Sequence, residues 1–230
     1  MPLRKVSALV IDDDVHMVRM MRRILELEGC TVLTASSGEA ALEVFDEQVP
    51  DVVLLDIMMQ GMDGYSVCQR IREFSQVPII TVSAKNGDQD KVKMLGTGAD
   101  DYITKPFSSQ ELMARIKAVL RRTNLQAYTQ PLFHANELTI DFARQSVSLQ
   151  GQEINLTATE YSLLCYLALN AGRIVTIDQI LEKVWGEEYT GDNHLLRVNI
   201  ARLRSKLGDG GKKHTYIITR PGMGYVMKKE

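Results

Sequence analysis

Short apolar runs and helical stripes alternate through residues 1–122. The runs at 6–11, 31–35, 51–57, 78–84 and 101–104 are rich in Val, Ile and Leu. Runs this apolar read as strands covered on both faces, as in a parallel sheet. Between them the period lengthens. Val18, Met21 and Leu25 share one helical stripe, and Gly29 follows as a C-cap. Further helices are predicted at 40–45, 65–74 and 89–95, and a last one carries Leu112, Ile116, Val119 and Leu120 on one face. Strand and helix alternate five times, which predicts an α/β, doubly wound, five-stranded parallel sheet with helices on both faces.

From 123 the pattern changes. Residues 123–136 show no period and contain Pro131, and they read as a linker. Short alternating runs at 137–141, 146–149 and 153–156 predict strands, with Gln150-Gly151 at a turn. Thr157-Ala-Thr-Glu160 and Thr176-Ile-Asp-Gln179 are capping boxes that open two helices, the second ending at Gly186. A third helix, capped by Asp192 or Asn193, repeats Leu196, Ile200, Leu203 and Leu207 as one core stripe. Strands at 215–219 and 224–228 flank the Pro-Gly turn Arg220-Pro-Gly-Met223. Helix, turn, helix and hairpin predict an α+β winged helix-turn-helix domain over 137–230.

The strand ends hold the candidate chemistry. One run ends in Asp12-Asp-Asp14, one in Asp56, one in Ser83, and one in Lys105 before Pro106. A single carboxylate after a strand is more often a solvated loop residue. Parallel strands, however, bring all these ends to one edge, where open α/β sheets bind ligands. Carboxylates gathered there repel one another, and a divalent cation removes the conflict. All-oxygen ligation suits magnesium, which assists phosphoryl transfer. A hydroxyl and an ammonium suit phosphoryl oxygens, and a carboxylate can be phosphorylated.

Charge adds a second theme. The formal net charge is −2, yet residues 193–230 hold nine basic and two acidic residues, a net of +7. A basic segment on an acidic chain points to a polyanion. On the third helix of the second half, the face opposite the leucine stripe carries His194, Val198, Ala201, Arg202 and Ser205. Arg197, Asn199, Arg204 and Lys206 lie along its flanks. Cys30, Cys68 and Cys165 are odd in number and in no metal spacing, and they read as reduced cytoplasmic thiols. No apolar run reaches 18 residues, so no membrane span is expected.

Five motifs together resemble the receiver domain of two-component response regulators: Ile11-Asp-Asp-Asp14, Leu55-Asp-Ile-Met58, Met62-Asp-Gly64, Val82-Ser-Ala84 and Gly98-Ala-Asp-Asp-Tyr-Ile-Thr-Lys-Pro-Phe107. The second half resembles the winged-helix output domain of the OmpR/PhoB subfamily in Leu156-Thr-Ala-Thr-Glu160, Val184-Trp-Gly186, Arg202-Leu-Arg204 and Gly224-Tyr225. The resemblance implies a flavodoxin-like receiver at 1–122, a linker at 123–136 and a DNA-binding domain at 137–230. It implies phosphorylation of Asp56 by a sensor histidine kinase, with Mg2+ held by Asp12, Asp13, Asp56 and the Met58 backbone carbonyl. Lys105 and Ser83 would contact the phosphoryl oxygens, and Tyr102 would follow Ser83 as the switch aromatic.

The resemblance also implies a homodimer formed on phosphorylation. Its pairs would be Lys91–Glu111, Asp100–Arg122 and Asp101–Arg115 around Val92, Leu95 and Ala114. Double-stranded DNA would meet the helix residues named above together with the wing residues Arg220 and Tyr225, and RNA polymerase is a further candidate partner. The chain is expected to catalyse only its own phosphoryl transfer and dephosphorylation. Departures from the subfamily are Arg197 for Asp, Asn199 for His, Val226 for Arg, Gln60 for Pro and Pro221 for the wing arginine. Two rivals stay open: a DNA-binding regulator indifferent to phosphorylation, and an aspartyl-phosphate hydrolase acting on other substrates.

Overall fold

The computed structural model describes residues 6–84, 87–123, 132–209 and 214–229. The chain divides into two compact units, Met1–Leu120 and Arg121–Glu230.

In the first unit, β1 (Ser7–Ile11), β2 (Thr31–Ala35), β3 (Val52–Asp56), β4 (Ile79–Ser83) and β5 (Asp101–Thr104) form one sheet in the order β2-β1-β3-β4-β5, with every neighbouring pair parallel. The helices are α1 (Val15–Leu27), α2 (Gly38–Glu47), α3 (Gly64–Phe74), α4 (Asp88–Gly96) and α5 (Ser109–Thr123). Alternation along the strands divides the core. Ala8, Val10, Val52 and Leu54 pack with Met21 and Leu25 of α1 and with Leu112 and Ile116 of α5. Leu9, Ile11, Val53 and Leu55 pack with Phe45 of α2 and with Val67 and Ile71 of α3. Both strand faces are therefore dry, which is why these runs are continuously apolar. All five residues of β1 and β3 are buried.

The helix starts are fixed by short side chains. Asp14 accepts from the His16 and Met17 amides, Ser37 from Ala40, and Asp63 from Ser66. Asp14 is thereby committed to the start of α1, and its carboxyl lies below its ordinary pKa because of the His16 amide.

The second unit opens with an antiparallel sheet of β6 (Leu132–Ala135), β7 (Leu138–Asp141), β8 (Ser146–Leu149) and β9 (Gln152–Glu153). Then come α6 (Ala158–Leu169), α7 (Ile177–Val184), a 3-10 turn (Glu187–Tyr189), α8 (Asn193–Lys206) and the hairpin β10 (Ile217–Arg220) with β11 (Gly224–Met227). Both expected capping boxes are complete, at Thr157/Glu160 and Thr176/Gln179. The hairpin turn closes with the Met223 amide donating to the Arg220 carbonyl at 2.9 Å, and Gly222 takes the positive φ of +72° that a Pro-Gly turn needs.

Two expectations shift. Residues 132–135, read as linker, form β6 and pair with β7 from Leu132↔Asp141 to Ala135↔Leu138. Their alternation is too short to stand out without its partner strand. Residues 124–131 of the expected linker lie outside the described residues. The strand expected at 153–156 stops at Glu153. Beyond it, the Lys206 ammonium takes the Asn155 carbonyl at 2.8 Å and Thr157 turns to cap α6, so the backbone leaves the ladder.

Candidate functional site

β1, β3 and β5 deliver the expected groups to one sheet edge. Asp12 follows β1, Asp56 ends β3, and Lys105 follows β5. The Lys105 Nζ lies 2.9 Å from Asp12 Oδ2 and 2.7 Å from Asp56 Oδ2. Carboxylate oxygens of Asp12, Asp13 and Asp56 all fall within 4.8 Å of one another. Asp12 and Asp56 are buried and Asp13 is exposed.

Local backbone fixes each acid. Asp12 Oδ1 accepts from the Asp14 amide at 2.8 Å, Asp56 Oδ1 from the Met58 amide at 3.0 Å, and Asp13 Oδ2 from the Gln60 amide at 3.0 Å. Gly64 starts α3 directly against β3. A Cβ there would overlap the Asp56 carbonyl oxygen, so the close approach requires glycine.

The charge balance is incomplete. Burial raises the Asp12 pKa; hydrogen bonds from Lys105 and the Asp14 amide oppose this, and the Asp56 charge reinforces it. Burial pulls the Lys105 ammonium down, but its hydrogen bonds to Asp56 and Asp12 outweigh that and leave its pKa above the ordinary value. Among the described residues, Lys105 thus pairs with Asp12 and Asp56 while Asp13 takes the Gln60 amide, and one ammonium stands amid three carboxylates. An all-oxygen donor set with surplus negative charge fits a hard divalent cation.

Around the cluster, Ser83 ends β4 beside Asp56 and is fully buried. Met58, two residues past Asp56, is 56% exposed. Tyr102 is buried on β5, with the Arg115 guanidinium 5.6 Å from its ring centre.

The residues expected to pair between subunits are occupied within one chain. Arg115 Nη1 binds Asp101 Oδ1 at 3.0 Å, and its Nη2 lies 3.3 Å from Glu111. Asp100 is buried and accepts from Arg72 at 2.7 Å and from the Ile79 amide at 3.0 Å. Leu95, expected at the apolar centre of a dimer face, is fully buried inside its own unit, because α4 turns Met94 and Leu95 inward together. Val92 and Ala114 are exposed. The side chains of Lys91 and Arg122 lie outside the described residues.

On α8 the helix is rotated from its expected setting. Leu195 and Asn199 are buried alongside Leu196, Ile200 and Leu203, so the covered stripe is wider on one side. The exposed stripe is His194, Arg197, Ala201 and Ser205, with Val198 and Arg202 at its margin. Arg202, expected at the centre of the outer face, lies 2.9 Å from Glu160 Oε1. Lys206 lies 2.7 Å from Glu160 Oε2. Arg204 donates to the Ile217 carbonyl through Nε (3.1 Å) and Nη2 (2.6 Å), and to Thr219 Oγ1 at 2.9 Å.

Asn199 bonds the Leu195 carbonyl at 2.8 Å and faces the core. Tyr225 is buried, its backbone joined to Val175 and its ring 5.9 Å from the Arg204 guanidinium. Neither is outward, contrary to the expectation of Asn199 on the helix flank and of Tyr225 on the wing. Arg220 is exposed at the wing. Sequence reading passed over Glu160, beyond its cap, and Asp209, whose buried carboxylate accepts from the Thr215, Tyr216 and Ile217 amides at the base of the hairpin. A glutamate in a capping box is ordinarily solvated; the only hint was the leucine-rich stretch after it.

Residues 8–117 match the response regulator receiver domain, and residues 151–227 match the C-terminal domain of transcriptional regulatory proteins. The chain is 41% identical to the transcriptional regulatory protein KdpE of Mycobacterium tuberculosis, over 94% of this chain and 96% of that one. It is 39% identical to the sensory transduction protein RegX3 of Mycobacterium bovis, over 96% and 99%. Among solved structures it resembles the OmpR/PhoB homologue DrrB of Thermotoga maritima (33% identity, TM-score 0.53, 98% and 100% coverage) and a mutant of RitR (26%, 0.79, 98% and 100%). The chain belongs to the OmpR/PhoB family of response regulators. It is a two-component protein that joins a receiver to a DNA-binding domain for the regulation of transcription. Among the described residues, no helix is long and apolar enough to cross a membrane.

Proposed function

We propose that Asp56 accepts a phosphoryl group from a sensor histidine kinase and that this controls promoter binding. The observation that carries the reading is Lys105 bridging Asp12 and Asp56 within an acid cluster at the carboxyl edge of a parallel sheet. Asp12, Asp13, Asp56 and the Met58 carbonyl would hold Mg2+, which supplies positive charge to the incoming phosphoryl oxygens. An Asp56 carboxylate oxygen attacks phosphorus, the bond from phosphorus to the kinase histidine nitrogen breaks, and an acyl phosphate remains. Lys105 moves its charge from carboxylate to phosphoryl oxygen, and the Ser83 hydroxyl donates a second hydrogen bond. The exposed Met58 side chain has no group to orient a hydrolytic water.

Ser83 moving toward the phosphoryl group opens space for Tyr102, on which Arg115 rests. Arg115 is then free to exchange its own Asp101 for that of a second copy, giving a two-fold dimer. Two α8 helices meet successive half-sites, and the promoter complex engages RNA polymerase. The chain works in the cytoplasm, and its only chemistry is on its own aspartate.

The test uses acetyl phosphate with magnesium. Intact mass should rise by one phosphoryl group in the wild type and not in Asp56→Asn, and chelating magnesium should block the gain. Duplex binding by the wild type should strengthen on phosphorylation. An Asp56→Asn chain that labels normally ends this assignment; equal duplex binding with and without phosphate favours the rival regulator indifferent to phosphorylation.

A further inference from the structure

Glu160, an acidic residue paired with two cations of α8, has no solvent exposure. Its Oε2 accepts from the Thr157 amide at 2.9 Å and from Lys206 at 2.7 Å, while Oε1 faces Arg202 at 2.9 Å. One carboxylate thus holds two of the cations of the helix that the reading above gives to DNA. We propose that Glu160 is a positioning residue that withholds Arg202 and Lys206 from DNA phosphates, leaving Arg197 as the leading cation of α8. The proposal rests on α8 being the DNA-facing helix.

The side chains of Arg202 and Lys206 are 14% and 32% exposed, so neither extends into solvent as a loose phosphate contact would. A phosphate offers Lys206 a charge-assisted hydrogen bond like the one it already has, and Arg202 an ion pair like its present one with Glu160. Turning to DNA would forfeit that bond and strand a buried carboxylate, which is costly. Arg204 is likewise held by the Ile217 carbonyl and Thr219. Arg197 is exposed, one turn or more before these three, on the outer stripe with Ala201 and Ser205. Tethering cations reduces sequence-independent affinity, which comes from phosphate neutralisation, and so raises the ratio of specific to general binding.

Glu160→Gln isolates the charge. A glutamine oxygen still accepts from the Thr157 amide, so the capping box persists. Binding by the full-length phosphorylated chain is measured from 50 to 200 mM salt. The probes are a duplex that the wild type selects from a random pool and a scrambled duplex of the same composition. Each released cation adds about 0.9 to the salt slope, so two should steepen it by about 1.8. The scrambled-duplex affinity of the variant relative to wild type should then change by about twelvefold across that range. A purely structural defect weakens both duplexes and leaves the slope unchanged; that result, with normal wild-type binding, overturns the proposal.

Arg202→Gln supplies a readout independent of Glu160. On a tethered Arg202 it should leave the slope and the base preference unchanged. A slope lower by about 0.9, or a preference lost at one position, would show Arg202 already on DNA and overturn the proposal. Failure of the phosphorylated wild type to bind any duplex sinks the DNA reading itself, and the proposal with it, before any variant is compared.

Discussion

At the receiver edge two carboxylates, Asp12 and Asp56, share the ammonium of Lys105 with Asp13 beside them, whereas in the output unit the single carboxylate of Glu160 takes both Arg202 and Lys206. Both arrangements bury acids, and both use hydrogen bonds from backbone amides. They differ in what remains. The receiver acids keep surplus negative charge beside an exposed Asp13, open to a cation. Glu160 is surrounded by more positive charge than it carries, and no cation has reason to enter. An under-compensated cluster is a site; an over-compensated one is a joint between helices. Burial and charge alone do not separate the two, and the local balance does.

The largest break in this comparison should come from Glu160→Ala. It strands two cations and removes a cap, and the output unit should lose roughly 3 kcal/mol, the low end for breaking a buried pair because Arg202 and Lys206 can reach water. Trp185 is the only tryptophan and is fully buried in that unit, so its fluorescence during urea unfolding reports the loss. Magnesium should not restore it. Stability unchanged within about 0.5 kcal/mol would remove the joint from the comparison.

Lys105→Met should cost the receiver less, roughly 1.5–3 kcal/mol for lost hydrogen bonds between charged groups. Hydrogen exchange at the β1 and β3 amides measures it. Here millimolar magnesium should recover most of the loss, because the cation takes over the neutralising role. Lys105 contributes stability below its ordinary pKa of 10.5 that is lost as pH rises through its raised folded value, so wild type and variant should converge in strong alkali.

The smallest effect has the opposite sign. The Asp12 carboxyl lies above its ordinary 3.8 in the fold, chiefly through burial. Such a group favours the fold below pH 3.8, and that contribution is lost as pH rises through the raised value. At neutral pH the charge therefore opposes folding, and Asp12→Asn should melt about 2 °C higher without divalent ions. The same variant should gain less from added magnesium than wild type. A lower melting point in metal-free buffer would show that the Lys105 bridge outweighs burial.

Much of this was legible along the chain. Apolar runs of strand length separated by helical stripes predicted a parallel sheet, and a parallel sheet necessarily gathers strand ends, so Asp12, Asp56, Ser83 and Lys105 could be placed together from order alone. Both capping boxes were equally plain, since a cap is an interaction across three residues. What misled was the rotation of α8. Four leucines and isoleucines define a stripe, but Leu195 and Asn199 widen it to one side, and Arg202 moves from the centre of the outer face to its margin.

The sequence by itself determined the order of elements, the sheet edge that carries the acids, and the chemistry those acids suit, because strand period, caps and turns are local and parallel topology does the rest. Tertiary structure alone decided who holds whom. Arg115 on Asp101, Arg72 on Asp100, and Glu160 beneath Lys206 join residues 14, 28 and 46 positions apart, far beyond any helical repeat. A cation on a helix has several carboxylates within reach of its sequence, and its partner is the one that packing has already stripped of water. That desolvation is a property of the assembled core, which no local pattern encodes.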